Sequence, residues 1–205
     1  MTYLDRFLLF LDSLPDILIY FLLGLSAFVE NVFPPAPGDT ITVFGAFLAG
    51  TNRLQFFGIF VSTTVGGLAG FMFLFWIGNL LGRRFFIERD FWYFKAKDII
   101  RAEEWFRKYG YFLILLNRFF PGIRSVISIA GGISKLRAQK VAWLAFISFS
   151  LWNVIWISMG YTLGSNWKEA RGKIEVLITS YNSAILVLLG IVILFFIVRK
   201  VIKRS

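Results

Sequence analysis

The chain contains neither cysteine nor histidine. The first absence removes disulfides, thiolate nucleophiles and thiolate metal sites. The second removes imidazole ligands and bases, the Ser-His-Asp arrangement and any phosphohistidine intermediate. Charge is scarce too. Only 17% of the 205 residues are Asp, Glu, Lys or Arg, while 58% are hydrophobic. Soluble domains average about 25% charged and 45–50% apolar. The composition predicts an all-α polytopic membrane protein, one domain over residues 1–205, with the bilayer as its solvent. No cleavable leader is read at the N-terminus, where Arg6 stands among Asp5, Asp12 and Asp16.

Acids are the scarcer sign: 12 against 22 Lys and Arg, a net charge of +10. The bases flank apolar runs and are not interleaved with stacking aromatics on a polar face. The expected partners are therefore anionic lipid headgroups, with no nucleic acid. No cofactor, metal or catalytic residue is predicted. Whatever happens inside the membrane must use Asp, Glu, Arg, Asn, Ser and Thr.

Two stretches break the apolar pattern. In the first, Glu30-Asn-Val-Phe-Pro34-Pro35-Ala-Pro37-Gly38-Asp39 separates an apolar run of 13 residues (Ile17 to Val29) from one of 10 (Ile41 to Gly50). Neither run reaches the roughly 20 residues a straight span requires. In the second, Asn117-Arg118-Phe-Phe-Pro121-Gly122-Ile-Arg124-Ser125 separates the short arms Tyr111–Leu116 and Val126–Ile133. Each reads as a re-entrant hairpin, over about residues 17–50 and 109–133. Irregular backbone at membrane depth survives only where protein buries it or where it lines a wet cavity.

The first hairpin is followed by Leu54 to Leu81, a 28-residue run long enough to span with tilt or a kink, at roughly 42 Å as a helix. Gly58, Ser62, Gly66 and Gly70 recur along it every four residues. They form a small-residue stripe for close helix packing, either internal or in a homodimer. Residues 82–108 carry eight bases among several aromatics and read as an amphipathic surface segment. The second hairpin is followed by the span Val141–Leu163, by polar residues 165–183 and by a last helix from Ala184 to about Val201. Residues 3–14 read as an interfacial helix. Placing 82–108 in the cytoplasm puts fifteen bases inside and four outside, which satisfies the positive-inside rule. The C-terminus is then cytoplasmic, and the two hairpins enter from opposite faces as an inverted repeat.

A charged side chain at the bilayer centre costs from about 3 to well over 10 kcal/mol. Four of them at two tips therefore call for mutual pairing, Glu30 and Asp39 against Arg118 and Arg124. Pairing alone would make a structural clasp. The helix ends add direction. Glu30, at the C-terminal end of its arm, needs a base or a proton. Asp39 is placed to N-cap the next arm. Arg124, at the start of an arm, invites an anion, with Asn117 and Ser125 as further hydrogen-bonding groups. Burial penalises a charged carboxylate, so Glu30 or Asp39 is a candidate to exchange a proton.

The two tips also carry a family resemblance. Glu30-x-x-x-Pro34-x-x-Pro37-Gly38-Asp39 resembles the first signature of the DedA membrane proteins, also known by their VTT or SNARE-associated-type domain. Arg118-Phe-x-Pro121-Gly122-x-Arg124, followed by Ala130-Gly131, resembles the second. Leu136 stands where the family usually has Met. The resemblance implies a multi-pass protein of the cytoplasmic membrane with two facing hairpins, linked to proton motive force and moving lipids between leaflets. The cargo it implies is undecaprenyl phosphate or a phospholipid such as phosphatidylethanolamine. Its functional acids would be Glu30 and Asp39, and its arginines Arg118 and Arg124. The leading expectation is a flippase in which Arg118, Arg124, Asn117 and Ser125 hold the phosphate and Glu30 or Asp39 takes a proton. A proton-coupled cation or small-molecule antiporter, or a structural protein organising division or secretion machinery, are the alternatives.

Overall fold

A computed structural model describes residues 14–33, 35–89, 95–120 and 123–166. The expected N-terminal interfacial helix, the polar segment 165–183 and the last helix fall largely or wholly outside these residues. So do the tip residues Pro34, Pro121 and Gly122. The described residues form seven α-helices and one 3-10 turn, with no strand among them. The helices are α1 (Asp16–Val32), α2 (Gly38–Gly50), α3 (Phe56–Arg89), α4 (Ala96–Tyr109), α5 (Phe112–Leu115), α6 (Arg124–Ile133) and α7 (Ala138–Ser165). The 3-10 turn (Asn117–Phe119) joins α5 towards α6.

Two helices, α3 and α7, are long and apolar enough to cross a membrane. α2, with 13 residues, and α6, with 10, are too short to do so alone. The apolar run of α3 ends at Gly82, whose φ of 72° and ψ of 177° interrupt the helix. Only glycine adopts that conformation without strain, so the basic residues beyond it leave the axis of the long segment. α4 forms the latter part of the amphipathic segment expected over residues 82–108, whose first residues instead continue α3 to Arg89. Its Ile99, Ala102 and Phe106 are buried, and Gly110, at φ 56°, stops it.

The arms divide between the two long helices. α1 and α6 pack on α3, while α2, α5 and the 3-10 turn pack on α7. The small-residue stripe has an internal use. A Cβ on Gly70 would lie 2.6 Å from the Phe28 carbonyl oxygen, and one on Gly66 would strike the backbone of Gly24. Ser62 faces the same helix, since a Cβ on Gly24 would sit 2.9 Å from its carbonyl oxygen. The stripe thus lets α1 approach α3 backbone to backbone.

Burial is inverted relative to a soluble domain. Phe57, Leu80 and Trp143 are 70%, 79% and 69% exposed, whereas Glu30 and Arg118 are 5% and 2% exposed. An apolar exterior around buried charge is what hydrocarbon as solvent selects.

Candidate functional site

The four charged tip residues meet. Glu30 sits in the last turn of α1 and Asp39 in the first turn of α2. Arg118 lies in the 3-10 turn, and Arg124 opens α6. Arg124 makes the direct bonds. Its Nη1 donates to Glu30 Oε1 at 2.7 Å, and Nη1 and Nη2 both reach Asp39 Oδ2 at 3.3 Å. Arg118 is held differently. Its Nη1 is 3.6 Å from Glu30 Oε2 and 3.7 Å from Asp39 Oδ1, close enough for charge attraction and too far for hydrogen bonds. Its guanidinium carbon lies 4.2 Å above the Phe149 ring. Arg118 Nε and Nη1 are buried with no hydrogen-bond partner.

Helix polarity explains why the four assemble. Arg124 is a cation at the positive end of α6, and Glu30 an anion at the negative end of α1. Each is unfavourable where it stands, and the pair cancels the two penalties. Asp39 is better placed, within the first turn of α2. The expectation that it N-caps that helix is corrected. The helix starts at Gly38, two residues earlier than an Asp39 cap would place it; the cap position is Pro37, and no side chain caps it. Gly38 is tied to the site, because a Cβ there would stand 2.8 Å from Glu30 Cβ. Pro35 and Pro37 are exposed at the turn between α1 and α2.

Asn117 and Ser125 are buried beside the arginines. Asn117 Oδ1 has no partner. The Ser125 hydroxyl donates to the carbonyl oxygen of Asn31. It ties the end of α1 to α6, a use that competes with binding a ligand.

α7 supplies groups that the sequence reading passed over. Trp152 Nε1 donates to Asp39 Oδ1 at 3.0 Å, and its ring packs edge-on against Phe119 and Trp156. Phe149 floors Arg118, and Gly67 makes room beside both, since a Cβ there would strike the Phe149 ring and lie 3.2 Å from Arg118 Nη2. One turn beyond Phe149, Asn153 Nδ2 donates to Thr64 Oγ1 at 2.9 Å and to Thr63 Oγ1 at 3.2 Å, all buried. The available signal was polar: Ser148, Ser150 and Asn153 are hydroxyl and amide side chains inside an otherwise apolar span.

The four formal charges sum to zero. The inner pair, Glu30 and Arg118, has side chains 4% and 1% exposed; the outer pair, Asp39 and Arg124, 21% and 15%. Such a cluster can hold an anion on its guanidinium groups once a carboxylate lets go, and it can hold a proton on the carboxylate released.

The chain resembles known proteins over most of its length. The VTT domain matches residues 36–162, which include Asp39, both arginines and all of α3 to α6. The chain is 34% identical over 195 residues to an alkaline phosphatase-like protein of Lactococcus lactis subsp. lactis, covering 90% of this chain and 87% of that one. It is 28% identical to undecaprenyl phosphate transporter A of Bacillus subtilis, covering 80% and 82%. To the inner membrane protein YqjA of Escherichia coli it is 27% identical, covering 72% and 68%. No solved structure matches.

Proposed function

The chain belongs to the DedA family of VTT-domain membrane proteins, and we propose that it carries a lipid phosphate between the leaflets of the cytoplasmic membrane, coupled to protons. One observation carries this reading. Two arginines are neutralised by two acids in a cluster whose inner pair is buried, and the deeper arginine, Arg118, is held by charge attraction alone, with Nε and Nη1 making no hydrogen bond. Orphan guanidinium donors in a dry site are matched by the oxygens of a phosphate.

The mechanism follows from charge balance. A phosphate brings at least one negative charge into a cluster that sums to zero, and an unbalanced charge there is costly. A proton on one carboxyl restores the balance. Glu30 is the better acceptor, because it receives one direct hydrogen bond, from Arg124. Asp39 receives donors from Arg124 and from Trp152. Protonated Glu30 releases Arg124, and Arg124 with Arg118 then takes the phosphate, while Asn117 Oδ1 remains an acceptor for a protonated ligand oxygen. Loss of the proton restores the carboxylate, which displaces the cargo. The lipid tails stay in hydrocarbon throughout, so only the headgroup needs a polar route.

The two hairpins read as re-entrant, entering from opposite faces, with the C-terminus in the cytoplasm. The sharing of their arms between α3 and α7 supports this repeat. Undecaprenyl phosphate is the favoured cargo, by similarity to the named transporters of Bacillus subtilis and Staphylococcus aureus, and phosphatidylethanolamine the alternative. A phosphatase reading, suggested by the name of the Lactococcus relative, would have to use a serine or aspartate nucleophile without any histidine or cysteine, since the chain has neither. The test is movement of fluorescent lipid phosphate in proteoliposomes under an imposed pH gradient. Arg118→Ala and Arg124→Ala are expected to abolish gradient-driven movement. Wild-type rates in either would overturn the proposal.

A further inference from the structure

Away from the ionic site, the first turns of α7 carry two adjoining grooves. One, of about 820 Å³, is bounded by Tyr111, Gln139, Lys140, Trp143 and Leu144. The next, of about 440 Å³, shares Gln139 and Trp143 and continues past Ala142, Phe146 and Leu68 with an apolar lining. The pair is thus amphipathic along its length, basic at one end and hydrocarbon at the other.

The basic end is held in place. The Tyr111 hydroxyl accepts the Arg137 backbone N–H at 3.0 Å, and Lys140 Nζ sits 5.7 Å from the centre of the Tyr111 ring. Lys135 is already engaged, donating to the Asn79 carbonyl and side-chain oxygens. Lys140 lines the groove and Arg137 adjoins it through its backbone bond to Tyr111; both are exposed, and no acid occurs anywhere from Ser134 to Ser165. The apolar end has a fixed wall too, where Trp143 meets Phe146 edge to face at 6.1 Å and 90°.

We propose that this groove is a binding site for one anionic phospholipid. Its phosphate lies between Arg137 and Lys140, and an acyl chain runs along Trp143 and Phe146 into the slot beside Leu68. Charge complementarity selects the occupant. A continuous groove that is basic and then apolar matches a lipid's order of phosphate and chain, and two bases on a stretch that carries no acid of its own favour a net negative headgroup over a zwitterionic one. The site is separate from the Glu30–Arg124 cluster, and the proposal stands whether or not that cluster moves lipid. The lipid would fasten the start of the second hairpin, at Tyr111, to α7.

The absence of cysteine makes the test clean. Phe146→Cys in the full chain carries a single bimane label, and the protein is reconstituted with brominated phosphatidylglycerol or brominated phosphatidylcholine at equal mole fraction. The expected result is quenching about fivefold more effective by the anionic lipid, the scale of one basic residue at an anionic surface. That preference should vanish in Arg137→Gln/Lys140→Gln. In the unsubstituted rim it should also collapse at about 1 M salt, where the Debye length is about 3 Å, which gives a readout independent of the double variant's behaviour. Equal quenching by both lipids would mean an unselective bilayer contact and overturn the proposal. So would a preference that survives both treatments. Absence of quenching by either lipid would mean that the groove is closed to lipid, and would overturn it as well.

Discussion

Glu30→Gln is a nearly isosteric change that removes one charge from a balanced, buried set of four. Arg124 Nη1 loses the carboxylate oxygen at 2.7 Å, and Arg118 keeps only Asp39, at 3.7 Å. Water cannot compensate, because the Glu30 and Arg118 side chains are 4% and 1% exposed. Stranding a buried charge in this way costs about 3–5 kcal/mol, which for a chain of this size lowers the midpoint of thermal unfolding by about 10 °C. Arg124→Gln strands the opposite charge and should cost about as much, since the acid it leaves, Glu30, is 4% exposed and keeps only Arg118 at 3.6 Å. The double variant returns the cluster to neutrality. Its cost should fall short of the sum of the single costs by about 2–3 kcal/mol, the coupling of two groups in direct contact.

The four proteins, purified in one detergent, are compared by thermal unfolding followed through tryptophan fluorescence and by lipid movement in proteoliposomes. The expected outcome is a recovered midpoint in Glu30→Gln/Arg124→Gln together with absent gradient-driven transport. Costs that add to within about 0.5 kcal/mol would refute the neutrality argument itself. A double variant that is stable and transports at the wild-type rate would instead leave the pairing as a clasp and remove its role in carriage. The two failures are distinguishable because stability and transport are read on the same samples.

Three further substitutions probe the surroundings. Trp152→Phe keeps an aromatic ring against Phe119 and Trp156 while deleting the donor to Asp39. A hydrogen bond to a charged group contributes about 1.5–3 kcal/mol, so transport should fall at least about tenfold with the helical circular dichroism unchanged. Gly38→Ala pushes a methyl against Glu30 Cβ at 2.8 Å. Its overpacking should cost about 1–3 kcal/mol and impair transport more than Gly131→Ala, whose nearest side-chain atom is 3.4 Å away. Gly82→Ala meets no neighbour within 4 Å, so its cost comes from the backbone alone. At φ 72° and ψ 177° it should lose about 1–3 kcal/mol in thermal unfolding, and a midpoint equal to wild type would remove the kink.

The tips were legible because charge and proline inside short apolar runs have few explanations. Opposite signs at the two tips announced the pairing, since neither set tolerates burial alone. The detail of the pairing was hidden by distance along the chain: Arg124 and Glu30 are 94 residues apart. Nothing local says that Arg124 takes the hydrogen bonds while Arg118 rests on a ring. α7 shows a second limit. Phe149 is fully buried and Trp143 is 69% exposed on the same helix. Only helical phase against α3 separates the two, because aromatics in a span suit lipid and core equally. The start of α2 was displaced by two residues, its N-cap position moving from Asp39 to Pro37, for a steric reason. With no Cβ, Gly38 lets the Glu30 side chain lie against the first turn, so the helix begins there and Asp39 falls inside it.

The division of the arms gives the ionic cluster a mechanical meaning. α1 and α6 belong to α3, while α2 belongs to α7. Arg124, on α6, bonds Glu30 of its own group and Asp39 of the other, and Asp39 is further tied to Trp152 on α7. Arg124 is therefore a bolt between two helical groups, and Trp152 fixes the plate it enters. On the transport reading, a ligand that draws Arg124 away from both acids leaves the bond to Trp152 intact and loosens one group from the other at the depth of the headgroup. Binding and local opening would then be one event, because the guanidinium that recognises the phosphate is also the tie between the groups at that depth, while Asn153 and the two threonines hold α7 to α3 elsewhere. Arg118, with weaker holds and a ring beneath it, would stay to receive the cargo. The two arginines thus differ in task as they differ in geometry. Arg124→Lys, which retains charge but loses the forked contact to Asp39, should therefore impair the gradient-driven step more than the equilibrium binding of lipid phosphate; equal losses in both would argue against a bolt.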